Sequence, residues 1–179
     1  RAIEHCDTLL MIGTDFPYSQ FLPSKAFVIQ LDIRGRQIGR RCRVDLPLVG
    51  DAADTMPRLT ELIDGDRDGE HLATAREHYR KTREGLDDLA APSAAGEPIH
   101  PQYLTKLLSD AADDDAVFVP DVGSPVVWAA RYVKMNGRRR LIGSFNHGSM
   151  ANAVSQSVGI SAVAPHRQVI ALAGDGGLA

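Results

Sequence analysis

Short apolar runs recur along this chain, and each stops at or just before a glycine or an aspartate. Thr8-Leu9-Leu10-Met11-Ile12 meets Gly13, Ala26-Phe27-Val28-Ile29-Gln30-Leu31 meets Asp32, and the weaker run Val44 to Val49 meets Gly50-Asp51. Further on, Ala116-Val117-Phe118-Val119 leads to Asp121-Val122-Gly123, and Leu141-Ile142 leads to Gly143. Gln168-Val169-Ile170-Ala171-Leu172-Ala173 then runs into Gly174-Asp175-Gly176-Gly177. Runs this short and this apolar fit strands buried on both faces. Strands alternating with loops and helical patterns point to an α/β fold with parallel, doubly wound sheets.

In such sheets ligands bind outside the carboxyl ends of the strands. The last run places Asp175 there, between glycines whose missing Cβ atoms let a bulky anion approach the backbone. A carboxylate is a hard oxygen donor suited to Mg²⁺, which typically binds through one or two carboxylates plus phosphate oxygens. The turn therefore reads as part of a metal–diphosphate site. Asp32 and Asp51 end earlier strands in the same way. Each singly fits a helix cap or a turn, but their repetition favours ligand contact, such as with the ribose hydroxyls of a dinucleotide.

The helical patterns run from Asp54 to Ile63, Glu70 to Leu89, Pro101 to Asp110, Ser124 to Tyr132 and Ala151 to Val163. Ser124 is expected to cap its helix with Pro125 at the first position, and Trp128 to sit in the core. Glu70 to Leu89 has few apolar positions and reads as a surface helix. Residues 91–98, small and Pro-bounded, read as a linker, dividing the chain into parts of two domains at 1–90 and 99–179. The acidic break at 64–69 lacks the later Glu of a calcium loop, so no calcium is expected there.

A net charge of −3 gives no reason to expect a polyanionic partner, and the cluster Arg34, Arg36, Arg40, Arg41 and Arg43 has no aromatic interleaving, so nucleic acid is not an expected partner. The simplest reading of Arg138-Arg139-Arg140 is a polar turn. Cys6 and Cys42 are too few for a disulfide framework. A start at Arg1 and a close just past Gly177 suggest an internal piece of a longer protein.

The ordered set Asp121-Val122-Gly123-Ser124-Pro125, Val127-Trp128-Ala129-Ala130-Arg131-Tyr132, Gly143-Ser144-Phe145-Asn146-His147-Gly148-Ser149-Met150 and Gly174-Asp175-Gly176-Gly177 resembles one family nearly end to end. It is similar to the quinone-dependent pyruvate dehydrogenases, or pyruvate oxidases, among the acetohydroxyacid-synthase-like thiamine diphosphate enzymes. The resemblance implies an FAD-binding central domain followed by the first half of a thiamine-diphosphate domain. It assigns Thr14, Asp15, Phe16, Pro17, Tyr18, Asp32 and Asp51 to FAD. Gly148, Ser149 and Met150 would cradle the aminopyrimidine, Met150 propping the cofactor into its bent shape. Asp175 would hold Mg²⁺, with Gly176 and Gly177 beside the diphosphate.

The implied activity is oxidative decarboxylation of pyruvate to acetate and CO₂, with electrons passing through FAD to a quinone. The resemblance further implies a homo-oligomer, tetrameric in the family, in the cytoplasm and peripheral to the inner membrane face through a C-terminal segment. No residue of this chain is assigned as the acid–base catalyst. In the family a glutamate of the first domain serves the aminopyrimidine, and an asparagine beyond Asp175 completes the Mg²⁺ ligands. His147 is expected to be structural. The alternatives are an acetolactate-synthase-like carboligase or, for the chain as it stands, a non-catalytic folding or binding module.

Overall fold

The computed structural model describes residues 2–63, 65 and 69–179, so most of the acidic break at 64–69 lies outside the described residues. Two compact units are present, residues 1–81 and 82–179. The division falls inside a long helix rather than at the Pro-bounded segment 91–98.

Unit 1 carries a three-stranded parallel sheet of β1 (Thr8–Ile12), β2 (Phe27–Asp32) and β3 (Leu46–Val49), in that spatial order. β2 is central, and Val28, Gln30, Leu31 and Asp32 are buried because it is flanked on both sides. Gln30 is polar but satisfied: its Oε1 accepts the Gly39 N–H at 3.0 Å. α1 (Ala52–Leu62) starts two residues earlier than the apolar pattern suggests, because Asp51 caps it, accepting the Ala53 N–H at 2.7 Å. α2 (Glu70–Leu89) buries none of its residues, in keeping with its charged composition.

Unit 2 begins with the second half of α2. Tyr132 Oη donates to the Leu86 carbonyl at 2.9 Å, and the Arg83 guanidinium lies 5.9 Å from the Tyr132 ring centre and bonds the Arg131 carbonyl. These ties place the end of α2 in unit 2, which is why the division precedes the 91–98 segment. Then follow α3 (Pro101–Ala111), β4 (Val117–Pro120), α4 (Ser124–Tyr132), β5 (Arg140–Leu141), α5 (Asn152–Val163), β6 (Val169–Leu172) and α6 (Asp175–Leu178).

The sheet order is β5-β4-β6, all parallel. β4 is central and its four residues are buried. Val117 and Val119 pack with Ala153, Ile160, Val169 and Ala173. The chain leaves β4 for one neighbour and later crosses to the other. That reversal opens a crevice at the C-terminal edge.

Two sequence expectations change. Ser124 makes no side-chain cap; the capping position is Gly123, whose φ of 84° few other residues adopt. Arg139 is no polar turn residue. It is 7% exposed, and its guanidinium donates to the carbonyls of Ser109, Ala112, Asp113 and Lys134 while lying 5.8 Å from the Phe118 ring centre. It closes the C-terminal end of α3, whose last carbonyls lack helical partners.

Candidate functional site

At the C-terminal edge of the unit 2 sheet, three connections meet: the turn after β4, the long loop after β5 and the turn after β6. Asp121 stands at the first of them and is 3% exposed. Its Oδ1 accepts from Asn152 Nδ2 at 3.1 Å and from the Ala153 N–H at 3.0 Å, both at the start of α5. Its Oδ2 accepts the Gly174 N–H at 3.1 Å. A buried carboxylate needs such a set of donors to offset its lost hydration.

The loop from Ser144 to Asn152 is closed by its own ends. The Ser144 N–H donates to Asn152 Oδ1 at 3.1 Å, and the Ser144 carbonyl accepts the Gly148 N–H at 2.8 Å. Ser144 Oγ takes the Ser149 N–H at 3.1 Å, and Asn152 Nδ2 reaches the Ser149 carbonyl at 3.0 Å. Gly148 has φ 66°, and Ala151, at φ 63°, is the one non-glycine residue of positive φ among the described residues. An L-residue held there costs about 1–2 kcal/mol. The surrounding bonds impose it.

What this loop presents is Met150, 70% exposed and therefore no core residue. It sits beside the turn after β6: a Cβ on Gly176 would lie 3.4 Å from Met150 Sδ. Asp175 is exposed at the first position of α6. The structure thus brings Gly148, Ser149, Met150, Asp175, Gly176 and Gly177 to one sheet edge.

Sequence reasoning missed Asn152, and it quoted Asp121 only as part of a motif. The signal for Asp121 was present, a carboxylate directly after the most buried strand. Asn152 had none, because its partners Pro120 and Asp121 lie 32 and 31 residues away. His147 is exposed in the same loop.

In unit 1 a pocket at the C-terminal strand ends is lined by Gly13, Asp15, Asp32, Arg34, Gly50 and Asp51, among others. Each carboxylate already has a protein partner. Arg41 grips Asp15 through two bonds of 2.8 and 2.9 Å, with Arg40 at 3.5 Å. Asp32, nearly buried, accepts the Arg34 N–H at 2.8 Å, and Asp51 caps α1. Thr14, Phe16, Pro17 and Tyr18 do not line that pocket; Phe16 and Tyr18 pack edge to face at 5.5 Å. Of the basic cluster, Arg40 and Arg41 are used on Asp15 and Arg43 on Asp45.

These pairs set a pH dependence. Hydrogen bonds from Arg41 hold the Asp15 carboxyl below its usual range, and the Val28 N–H followed by Arg43 does the same for Asp45. Arg80 brings Glu77 down to about 2, and Lys134 lowers Asp110. Carboxyls depressed in the folded state contribute stability that is present above their unfolded pKa of about 4 and lost as pH falls through the folded values. The melting temperature is therefore expected to hold from pH 7 to about 5 and to fall steadily from pH 4.5 to 2.5. A flat profile across that acid window would contradict the assignment.

Among the described residues no three His, Cys, Asp or Glu side chains converge to hold a metal on their own, and no helix is long and apolar enough to cross a membrane.

Two family models match the chain. Residues 1–59 match the central domain of thiamine pyrophosphate enzymes, and residues 121–179 match their C-terminal TPP binding domain. The chain is 38% identical over 177 residues to a putative thiamine pyrophosphate-containing protein, YdaP, of Bacillus subtilis, covering 99% of this chain and 30% of that protein. It is 29% identical over 181 residues to the acetolactate synthase large subunit of Corynebacterium glutamicum, covering 98% and 29%. Over 98 residues it is 46% identical to an uncharacterized 42.6 kDa protein of Pseudomonas amyloderamosa, covering 55% and 25%. The chain spans 30% or less of the length of these relatives.

Proposed function

The chain belongs to the thiamine pyrophosphate enzyme family, and we propose that it is part of an enzyme that decarboxylates pyruvate with thiamine diphosphate and Mg²⁺. The observation that carries this reading is the meeting of Met150 with the Gly174–Gly177 turn at one sheet edge. The residues fit the group. Asp175 offers a hard oxygen donor, and a lone carboxylate suffices where phosphate oxygens and water complete the shell. The backbone at Gly174 and Gly176 leaves room for the diphosphate, and the exposed thioether of Met150 suits the face of a heteroaromatic ring.

When bound, thiamine diphosphate supplies the carbon nucleophile for the keto group and the sink for the electron pair left when CO₂ departs. The chain's own residues bind and orient. Asp175 would hold the metal, Gly148 and Ser149 fix the loop, and Met150 would limit how the ring system lies.

The finer reading is a pyruvate:quinone oxidoreductase with FAD in the unit 1 pocket, where Asp32 would accept from ribose hydroxyls and Asp15 and Asp51 would stand beside it. This reading carries with it a homo-oligomer in the cytoplasm, peripheral at the membrane. The acetolactate synthase relatives favour a second reading, in which a flavin is kept without a redox role and two pyruvate molecules are joined. Anaerobic mixing of the full-length protein with pyruvate separates them. The oxidase reading expects the oxidised flavin absorbance to vanish within the time of one turnover and to return on adding a quinone. An oxidised flavin that persists while acetolactate accumulates would establish the carboligase instead.

A further inference from the structure

We propose that Asp121 is a positioning residue that fixes both cofactor-facing segments of unit 2 at once, the loop 144–153 and the turn 173–177. The claim rests on the thiamine diphosphate reading only for what those segments face; the coupling itself is a property of the fold. Each carboxylate oxygen serves a different segment. Oδ1 takes Asn152 Nδ2 and the Ala153 N–H, and Oδ2 takes the Gly174 N–H. Asn152 extends the hold into the loop through its bonds with the Ser144 N–H and the Ser149 carbonyl. Met150 is thereby placed from one oxygen and Asp175 from the other.

A second observation fixes the same carboxylate sterically. A Cβ at Gly177 would lie 2.0 Å from Asp121 Oδ2 and 3.2 Å from the Cα of Ala151. The glycine at 177 is thus required by Asp121 itself, since its neighbours Gly174 and Gly176 would meet nothing closer than 4.0 and 3.4 Å. The third glycine position of the turn leaves space for a protein carboxylate rather than for a ligand. The two segments are expected to order or loosen together, so that the metal-binding aspartate and the ring-facing methionine cannot move independently.

The test uses the full-length protein without cofactor, read by hydrogen–deuterium exchange. Asp121→Ala removes both carboxylate oxygens, so the bonds to Asn152 and Ala153 on one segment and to Gly174 on the other are lost together. Exchange is expected to rise about tenfold in both 144–153 and 173–177 while β4 and β6 keep their protection. A residue that only stabilised the fold would loosen the strands equally. A rise confined to one segment would overturn the proposal. Gly177→Ala provides an independent arm: exchange should rise in both segments, but adding it to Asp121→Ala should change exchange less than about twofold. An undiminished effect in that background would also overturn the proposal. Titration of wild type with Mg²⁺ and thiamine diphosphate keeps the two ideas apart. Absence of binding there sinks the cofactor reading and leaves the exchange result standing.

Discussion

Asp175→Ala in the full-length protein is expected to weaken Mg²⁺-dependent thiamine diphosphate binding on the order of 100-fold and to leave thermal unfolding of the cofactor-free protein unchanged. The asymmetry follows from position. Asp175 is exposed, heads a four-residue helix and has no hydrogen-bond or ion-pair partner among the described residues, so the fold does not depend on it. On the proposed reading its contribution falls on the metal, where losing a carboxylate would remove both a ligand and the charge that offsets Mg²⁺. Asp175→Asn keeps one oxygen donor without the charge and should recover part of the affinity. Unchanged binding in Asp175→Ala would remove the metal role from this residue. A large loss of stability would show that it had been read wrongly as a free ligand.

Arg139→Ala is expected to be the most destabilising single change in unit 2 outside the buried apolar strands, at about 3 kcal/mol by denaturant unfolding. The guanidinium satisfies four carbonyls at the end of α3 and in the segments that follow it, and its removal leaves the buried Ser109 carbonyl without that donor while the others, part-buried, lose theirs as well. Arg139→Lys should recover little of the loss, because a single ammonium cannot reach carbonyls spread across a planar fork. Arg138→Ala, at an exposed neighbour with only a 4.0 Å approach to Asp114, should cost less than about 0.5 kcal/mol. Equal effects at the two positions would contradict the structure.

Arg139 also marks where sequence reading stops. Three successive arginines before a strand carry no sign that the middle one turns inward. Its acceptors lie between 5 and 30 residues away in the chain, and such pairing leaves no local pattern. The strands were legible for the opposite reason. β1 is a continuous apolar run with the same limits in sequence and structure, and β2, β4 and β6 lie within one residue of theirs at each end. Burial on both faces of a parallel sheet writes itself directly into composition.

The aspartates show the same boundary between local and distant information. Four of them follow strands as a ligand-binding pattern would require, yet the structure uses them differently. Asp32 tightens a turn, Asp51 caps α1, Asp121 ties two segments together, and Asp175 is left exposed. The turn at Asp51 and the glycines around Asp175 were readable from neighbouring residues. The role of Asp121 was not, because it depends on Asn152 and Gly174 arriving from 31 and 53 residues away. The loop holding Met150 was found through its resemblance to known enzymes, and its geometry shows why the residue types matter: two serines and an asparagine close the loop so that Met150 faces outward beside the glycine turn.

Calorimetric titration of the full-length protein with thiamine diphosphate, with and without Mg²⁺, tests the central claim most directly. The structure predicts micromolar binding of one cofactor per chain that disappears when Mg²⁺ is chelated. Binding of equal strength in both conditions, or none in either, would contradict a metal–diphosphate site built on Asp175 and the turn after β6.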